Sequence, residues 1–375
     1  MVFDETDMVV GTVLRSHAGG YLVYEHGQDA VFSCAARGRL KKEKVSIVTG
    51  DRVELDEIQT DSGTAVICTR LERQNILSRP FLANVDQVII VQAIHQPDWS
   101  PLICDRYLVH FKLELQAVPP ILCFNKCDLA SPDDIAALRS IYEPLGYFVT
   151  IVSAKAGIGM EELSRLLSGK VSVLAGPSGV GKSSILNYLE PSLHLKVGVM
   201  ENEFGVGRHT TTYSELYRIG IQTHAEPSWV ADTPGFNLTE FRYPEPALVM
   251  WQFPELVELA QQCRFLDCLH NVEDSGCNVI ANIDKVSPSR YASYLTIVTD
   301  SLDEQRLRKD TSKKVESNVK VVGGHQGKGR HVPKLSGKYR AASRRRERQK
   351  LSDVAELEPE MDDSDESNLD ESDLT

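Results

Sequence analysis

An eight-residue segment, Gly176 to Ser183, reads GPSGVGKS and stands between an apolar run, VSVLA, and a helical stretch, SSILNYLE. The pattern GxxxxGK[ST] in that setting admits few folds. A glycine-rich turn at the end of a buried strand lets main-chain N–H groups close around phosphate oxygens, and the next helix aims its positive end at them. Gly176, Pro177, Ser178, Gly179, Val180 and Gly181 form the expected turn. Lys182 would reach the β and γ oxygens, and the hydroxyl of Ser183, followed by Ser184, would bind Mg2+. A mostly parallel sheet covered by helices must surround such a loop.

The neighbouring sequence has that pattern from about Asn84 onward. VDQVIIVQAI, PPILCFNKCDL, YFVTIVSA and SWVADTPGF read as apolar strands, and CDRYLVHFKLELQ, DDIAALRSIYEPLG and GMEELSRLLSG read as helices between strands. Functional loops are expected at the strand C-termini.

The phosphate loop alone selects neither base nor reaction, and GPSGVGKSS would also suit a nucleotide kinase. Asn125, Lys126, Cys127 and Asp128, NKCD, close the strand ILCF and resemble the NKxD element of GTPases. An Asp carboxylate can accept from guanine N1 and its exocyclic amine, a donor pair that adenine lacks. Asn125 would brace the loop and Lys126 would lie along the ring. Ser153, Ala154 and Lys155 close YFVTIV and resemble the SAK element on the other side of the base. Asp232 to Gly235, DTPG, resembles the DxxG element that reaches Mg2+ through water and senses the γ-phosphate through its glycine. In GRHTTTYSEL a threonine would complete the Mg2+ shell; Thr211 is favoured, with Thr210 and Thr212 open.

The order is therefore base motif, SAK, phosphate loop, threonine switch and DTPG, a circular permutation of the usual GTPase order. Permutation joins DTPG directly to whatever follows it. Phe236 stands just after DTPG, where Ras-like enzymes carry a water-orienting Gln. His209 is the remaining candidate for positioning water, and slow intrinsic turnover is expected.

Beyond Tyr243 strand signals cease. EPALVMWQFPELVELAQQCRF reads as helical, as does SPSRYASYLTIVTDSLDEQRL, which should start at Ser287 and Pro288. Between them Cys263, Cys268, His270 and Cys277 offer three thiolates and an imidazole, the ligand set of a closed structural Zn2+ site. The other cysteines, Cys34, Cys68, Cys104, Cys123 and Cys127, are scattered through strand and helix segments, where buried free thiols are expected.

The first 75 or so residues hold about five short apolar runs with Gly-rich or polar turns, the pattern of a small closed barrel, with an OB-fold the leading candidate. Arg37, Arg39, Lys41, Lys42 and Lys44 form a basic stretch beside a strand, suited to single-stranded nucleic acid or structured RNA. The formal charge of −12 conceals two opposed blocks. Residues 302–350 carry about +11 and residues 351–375 about −11. No apolar run of about 18 residues occurs and the N-terminus is acidic, so no membrane partner is expected and the cytoplasm is the expected compartment.

The permuted order, the barrel ahead of it and the Cys/His pattern behind it together resemble the RsgA (YjeQ) family of ribosomal small subunit biogenesis GTPases, over about residues 1–300. The resemblance implies a multi-domain chain. An OB-fold β-barrel is expected at 1–75, a circularly permuted α/β P-loop GTPase domain at 76–243 and a mostly helical zinc-binding domain at 244–308. Composition alone reads 309–375 as a disordered basic then acidic tail, for which the resemblance offers no counterpart. The resemblance further implies a monomer that binds GTP and GDP with Mg2+, carries one Zn2+ and contacts ribosomal RNA through barrel and zinc domain, with hydrolysis stimulated by the small ribosomal subunit.

Overall fold

The computed structural model describes residues 9–17, 19–78, 81–194, 215–220, 227–232, 243–265, 268–271, 276–314, 319–322 and 330–333. Two compact units emerge, Met1–Arg306 and Leu307–Thr375.

The chain begins with strands β1 (Val9–His17), β2 (Gly20–Glu25) and β3 (Ala30–Ala36), helix α1 (Gly38–Lys42), and strands β4 (Arg52–Gln59) and β5 (Thr64–Arg70). The strands close into a barrel in the order β1-β2-β3-β5-β4, with β4 returning to β1 and β3 running parallel to β5. This is the OB-fold arrangement expected from the sequence. Period-2 alternation turns Phe32 and Cys34 of β3 and Ala65 and Ile67 of β5 into the barrel core. The basic stretch lies directly after β3. Its centre folds as the five-residue α1, anchored by buried Leu40, with Arg39, Lys41 and Lys42 in its last turn, where cations suit a helix C-terminus.

A short hairpin, β6 (Ile76–Ser78) and β7 (Phe81–Ala83), follows the barrel. It was not anticipated, because three-residue strands leave no periodic signal. Asp51 at the barrel edge is wholly buried and receives both the Nε and Nη2 of Arg73, at 2.6 and 2.9 Å.

The central sheet comprises β8 (Gln87–Ala93), β9 (Pro120–Asn125), β10 (Phe148–Ile151), β11 (Val171–Ala175), β12 (Glu215–Ile219) and β13 (Ser228–Asp232), ordered β10-β9-β8-β11-β13-β12. All neighbours are parallel except β12 with β13. The chain runs outward from β8 to β10 and then returns beside β8 as β11. The switch point of this doubly wound sheet therefore lies between β8 and β11, where such sheets bind ligands. Burial on both faces explains the continuous apolar runs VIIV in β8 and PILCF in β9. The edge strand β12 falls in a stretch that sequence left irregular.

Helices α2 (Pro101–Glu114), α3 (Pro132–Tyr142), α4 (Met160–Leu167) and α5 (Lys182–Leu189) cover the sheet. Their starts carry local signals: Ser100 caps α2, and Ser131 with Asp134 forms a capping box on α3, each followed by proline at the first turn. The barrel packs on the β12–β13 edge. Tyr24 meets Trp229 edge to face at 5.0 Å, and Arg218 pairs with Asp29 while lying 5.5 Å from the Tyr24 ring.

The C-terminal helices are α6 (Pro246–Val249), α7 (Pro254–Ala260), α8 (Asn278–Ala281) and α9 (Pro288–Lys314), the last belonging to the first unit as far as Arg306. The first predicted helix is thus broken into α6 and α7, since Pro254 cannot continue a helix through its own missing N–H. The second begins where Ser287 and Pro288 place it. Beyond residue 308, α9 runs to Lys314, and in the second unit β14 (Val319–Val322) pairs antiparallel with β15 (Arg330–Pro333). Among the described residues no helix is long and apolar enough to cross a membrane.

Candidate functional site

The phosphate loop leaves β11 at the switch point and enters α5. Gly176 has φ +148°, and a Cβ there would stand 2.1 Å from the Val91 carbonyl of the adjacent strand. Gly181 has φ +97°, and a Cβ there would meet the Asn125 amide nitrogen at 2.3 Å. Both positions therefore exclude every side chain. Between them Pro177, Ser178 and Gly179 form the outer turn, and Val180 is buried beneath it. Lys182, Ser183 and Ser184 open α5, and the Lys182 amine lies over the loop, 2.7 Å from the Gly176 carbonyl and 2.9 Å from that of Pro177.

Asn125, buried at the end of β9, joins three motifs. Its Nδ2 donates to the Val180 carbonyl at 2.8 Å, and its Oδ1 accepts from the Ala154 N–H at 3.1 Å. Lys126, in the left-handed region at φ +62°, donates to the carbonyls of Gly179, at 2.7 Å, and of Gln96. Cys127 donates its main-chain N–H to Val152 at 3.1 Å. Asp128 is exposed at the rim, and its Oδ1 accepts from the Ser153 hydroxyl at 2.5 Å. That hydroxyl also receives the Ala156 N–H at 3.1 Å, which closes the 153–158 turn with Lys155 exposed on it. One carboxylate thus faces outward beside a lysine stem and a glycine-rich anion cradle, a set able to hold a planar base at one end and phosphates at the other.

Asp232 ends β13 in register with Leu174, two residues before the loop opens. His209, Thr211 with its alternatives Thr210 and Thr212, and Gly235 lie outside the described residues. Gln96, whose carbonyl shares Lys126 with the phosphate loop, was missed by sequence reasoning; it contributes only its main chain, which no residue pattern advertises.

The second cluster is Cys263, Cys268, His270 and Cys277, whose ligand atoms lie within 4.8 Å of one another. His270 Nδ1 is 3.6 Å from Cys263 Sγ and 3.5 Å from Cys277 Sγ, and the two sulfurs are 3.9 Å apart. A tetrahedral Zn2+ with ordinary bond lengths requires S–S and S–N edges of about 3.8 and about 3.6 Å. The four residues therefore fit a metal ion of this kind. Tyr291 and Tyr294 of α9 donate their hydroxyls to the carbonyls of His270 and Leu269, at 2.7 and 2.9 Å, and so fix the ligand loop.

A sequence profile described as the RsgA GTPase matches residues 70–242, and one described as the RsgA N-terminal domain matches residues 10–67. A small ribosomal subunit biogenesis GTPase RsgA of Moorella thermoacetica is 38% identical over 298 residues, covering 79% of this chain and 98% of its own length. The corresponding protein of Alkaliphilus metalliredigens is 36% identical over 300 residues. Among solved structures, YjeQ from Thermotoga maritima superposes with a TM-score of 0.65 at 33% identity, over 78% of this chain and 98% of that one. YloQ, described as a circularly permuted GTPase, gives 0.63 at 29% identity, over 81% of this chain and 98% of that one. With the permuted order written in its own strand sequence, this chain is a GTP hydrolase and belongs to the RsgA GTPase family.

Proposed function

We propose that this GTPase serves as a cytoplasmic, monomeric assembly factor of the small ribosomal subunit, binding ribosomal RNA and hydrolysing GTP faster on that subunit. The observation behind the nucleotide assignment is Asn125, which ties the base motif, the SAK turn and the phosphate loop into one pocket. Asp128 would accept from guanine N1 and the exocyclic amine, and Lys126 and Ala154 would flank the ring. The 176–184 loop and Lys182 would hold the phosphates. Ser183 and Thr211 would ligate Mg2+ directly, and Asp232 and Gly235 would sense it and the γ-phosphate. Cys263, Cys268, His270 and Cys277 would hold one structural Zn2+, with no position left for substrate.

The ribosomal part of the reading rests on the names of the relatives and on the basic α1 of the barrel. GTP turnover measured with purified small subunits, large subunits and free RNA, over a salt series, tests it. Stimulation confined to small subunits is expected, declining with salt as phosphate contacts are lost. Replacement of His209 by Ala should lower the stimulated rate with GTP binding near normal; an unchanged rate removes His209 from the chemistry. Phe236, in place of a water-orienting Gln, favours a second reading: a GTP-dependent RNA-binding scaffold whose hydrolysis is incidental. Absence of any stimulation would select it.

A further inference from the structure

No residue of α2 is exposed. Cys104, Tyr107, Leu108 and Phe111 pack into the sheet core, while Val109, with Leu102 and Leu113, packs against the Cys/His module through Phe253 and Tyr294. Within that second contact lies Arg290 of α9, 1% exposed. Its Nε and Nη2 face the two carboxylate oxygens of Glu255 on α7, at 2.8 and 3.3 Å, and its Nη1 donates to Asp105 Oδ1 on α2. The guanidinium stands 4.4 Å from the Phe253 ring centroid, and the Tyr142 hydroxyl of α3 donates to the same Asp105 oxygen at 3.2 Å. Two further ties leave α2 for the module: Arg106 to Asp300 at 2.5 Å, and the Lys112 amine to the Gln252 carbonyl at 2.9 Å.

Apolar packing would join two helices as firmly as a buried ion cluster, because desolvation offsets most of the Coulombic gain. What a guanidinium fork adds is geometry, since it accepts partners only in fixed directions. The register so fixed is that of α2, and residues 94–100 lead straight into it through the Ser100 cap. That lead-in touches the nucleotide pocket, for Gln96 and Gly179 share the Lys126 amine.

We propose that Arg290 is a positioning residue for the nucleotide site: by locking α2 to α7 and α9 it sets the 94–100 loop, and so couples seating of the Cys/His module to retention of guanine nucleotide. The proposal rests on the nucleotide pocket described above. Its test uses the full chain carrying Glu255→Gln, which leaves the Arg290–Asp105 pair, and Arg290→Lys, which keeps charge and loses the fork. Release of fluorescent GDP is timed in each, alone and combined with Lys126→Met, with metal content and melting as controls. Each single variant should keep its metal and its cooperative melting, yet release GDP at least about threefold faster. Combined with Lys126→Met, neither should add to the effect, because the path is already cut. Wild-type release rates in the single variants, or equal fold-changes with and without Lys126→Met, overturn the proposal. Should Arg290→Lys fail to fold, Glu255→Gln decides alone. A wild-type chain unable to bind GDP would instead sink the pocket assignment, and the proposal with it.

Discussion

The Asn125 side-chain amide donates to the Val180 carbonyl across 2.8 Å, so one residue at the end of β9 holds the phosphate loop that leaves β11. Asn125→Ala would leave that carbonyl and the Ala154 N–H without their partners. Each orphaned buried group costs about 1–3 kcal/mol. GDP affinity should fall by roughly tenfold to a hundredfold, read by fluorescence titration. An affinity within twofold of the parent would show that the contact is dispensable.

The 2.5 Å bond from Ser153 to Asp128 orients the carboxylate for a donor pair. Asp128→Asn replaces one acceptor oxygen by a donor, which suits xanthine, whose ring carries a carbonyl where guanine carries an amine. GTP binding should weaken by about a hundredfold and XTP binding should appear. Competition between the two nucleotides measures this directly, and retained preference for GTP would contradict the assignment of Asp128.

These two contacts mark how far the sequence could be read. Asn125, Asp128, Ser153 and Lys182 were legible because each belongs to a short run whose residue types are dictated by ligand chemistry. The Cys/His cluster was legible for the same reason. The Arg290–Glu255–Asp105 cluster was not, because its members are separated by 35 and 185 positions and none stands in a local pattern. The α1 helix and the β6–β7 hairpin escaped for a different reason: at five and three residues they are too short to repeat the period that would reveal them. Cysteine burial lay between these extremes, being expected by residue type and decided only by packing.

The Cys/His cluster should bind one zinc per chain. Cys277→Ser removes a buried candidate ligand, and the metal's contribution, about 10–16 kcal/mol in small zinc-dependent folds, exceeds what three short helices packed on α9 can supply by themselves. Metal analysis should show zinc falling well below one equivalent, and α7 to α8 should lose protection in hydrogen exchange. Full zinc occupancy in Cys277→Ser would exclude Cys277 as a ligand.

Burial pushes the Cys34 thiol up to about 11 and the Cys123 thiol up to about 12, and raises that of Cys104 as well. A thiol whose value is raised stays protonated, and only the thiolate reacts. At pH 8 the folded chain should therefore leave Cys34, Cys104 and Cys123 unalkylated by iodoacetamide, while denaturation exposes all three. Mass spectrometry of peptides from the native reaction checks this; rapid labelling of Cys104 would show α2 opening away from the sheet.

That no residue of α2 is fully exposed carries a consequence for the ribosome that makes it. Asp105 leaves the exit tunnel 185 residues ahead of the arginine that neutralises it. At ordinary elongation rates that interval lasts about 10–40 s. Throughout it a nascent chain displays Leu102, Val109 and Leu113 beside an unmatched carboxylate, and a chaperone has that long to meet the helix that follows the first sheet strand.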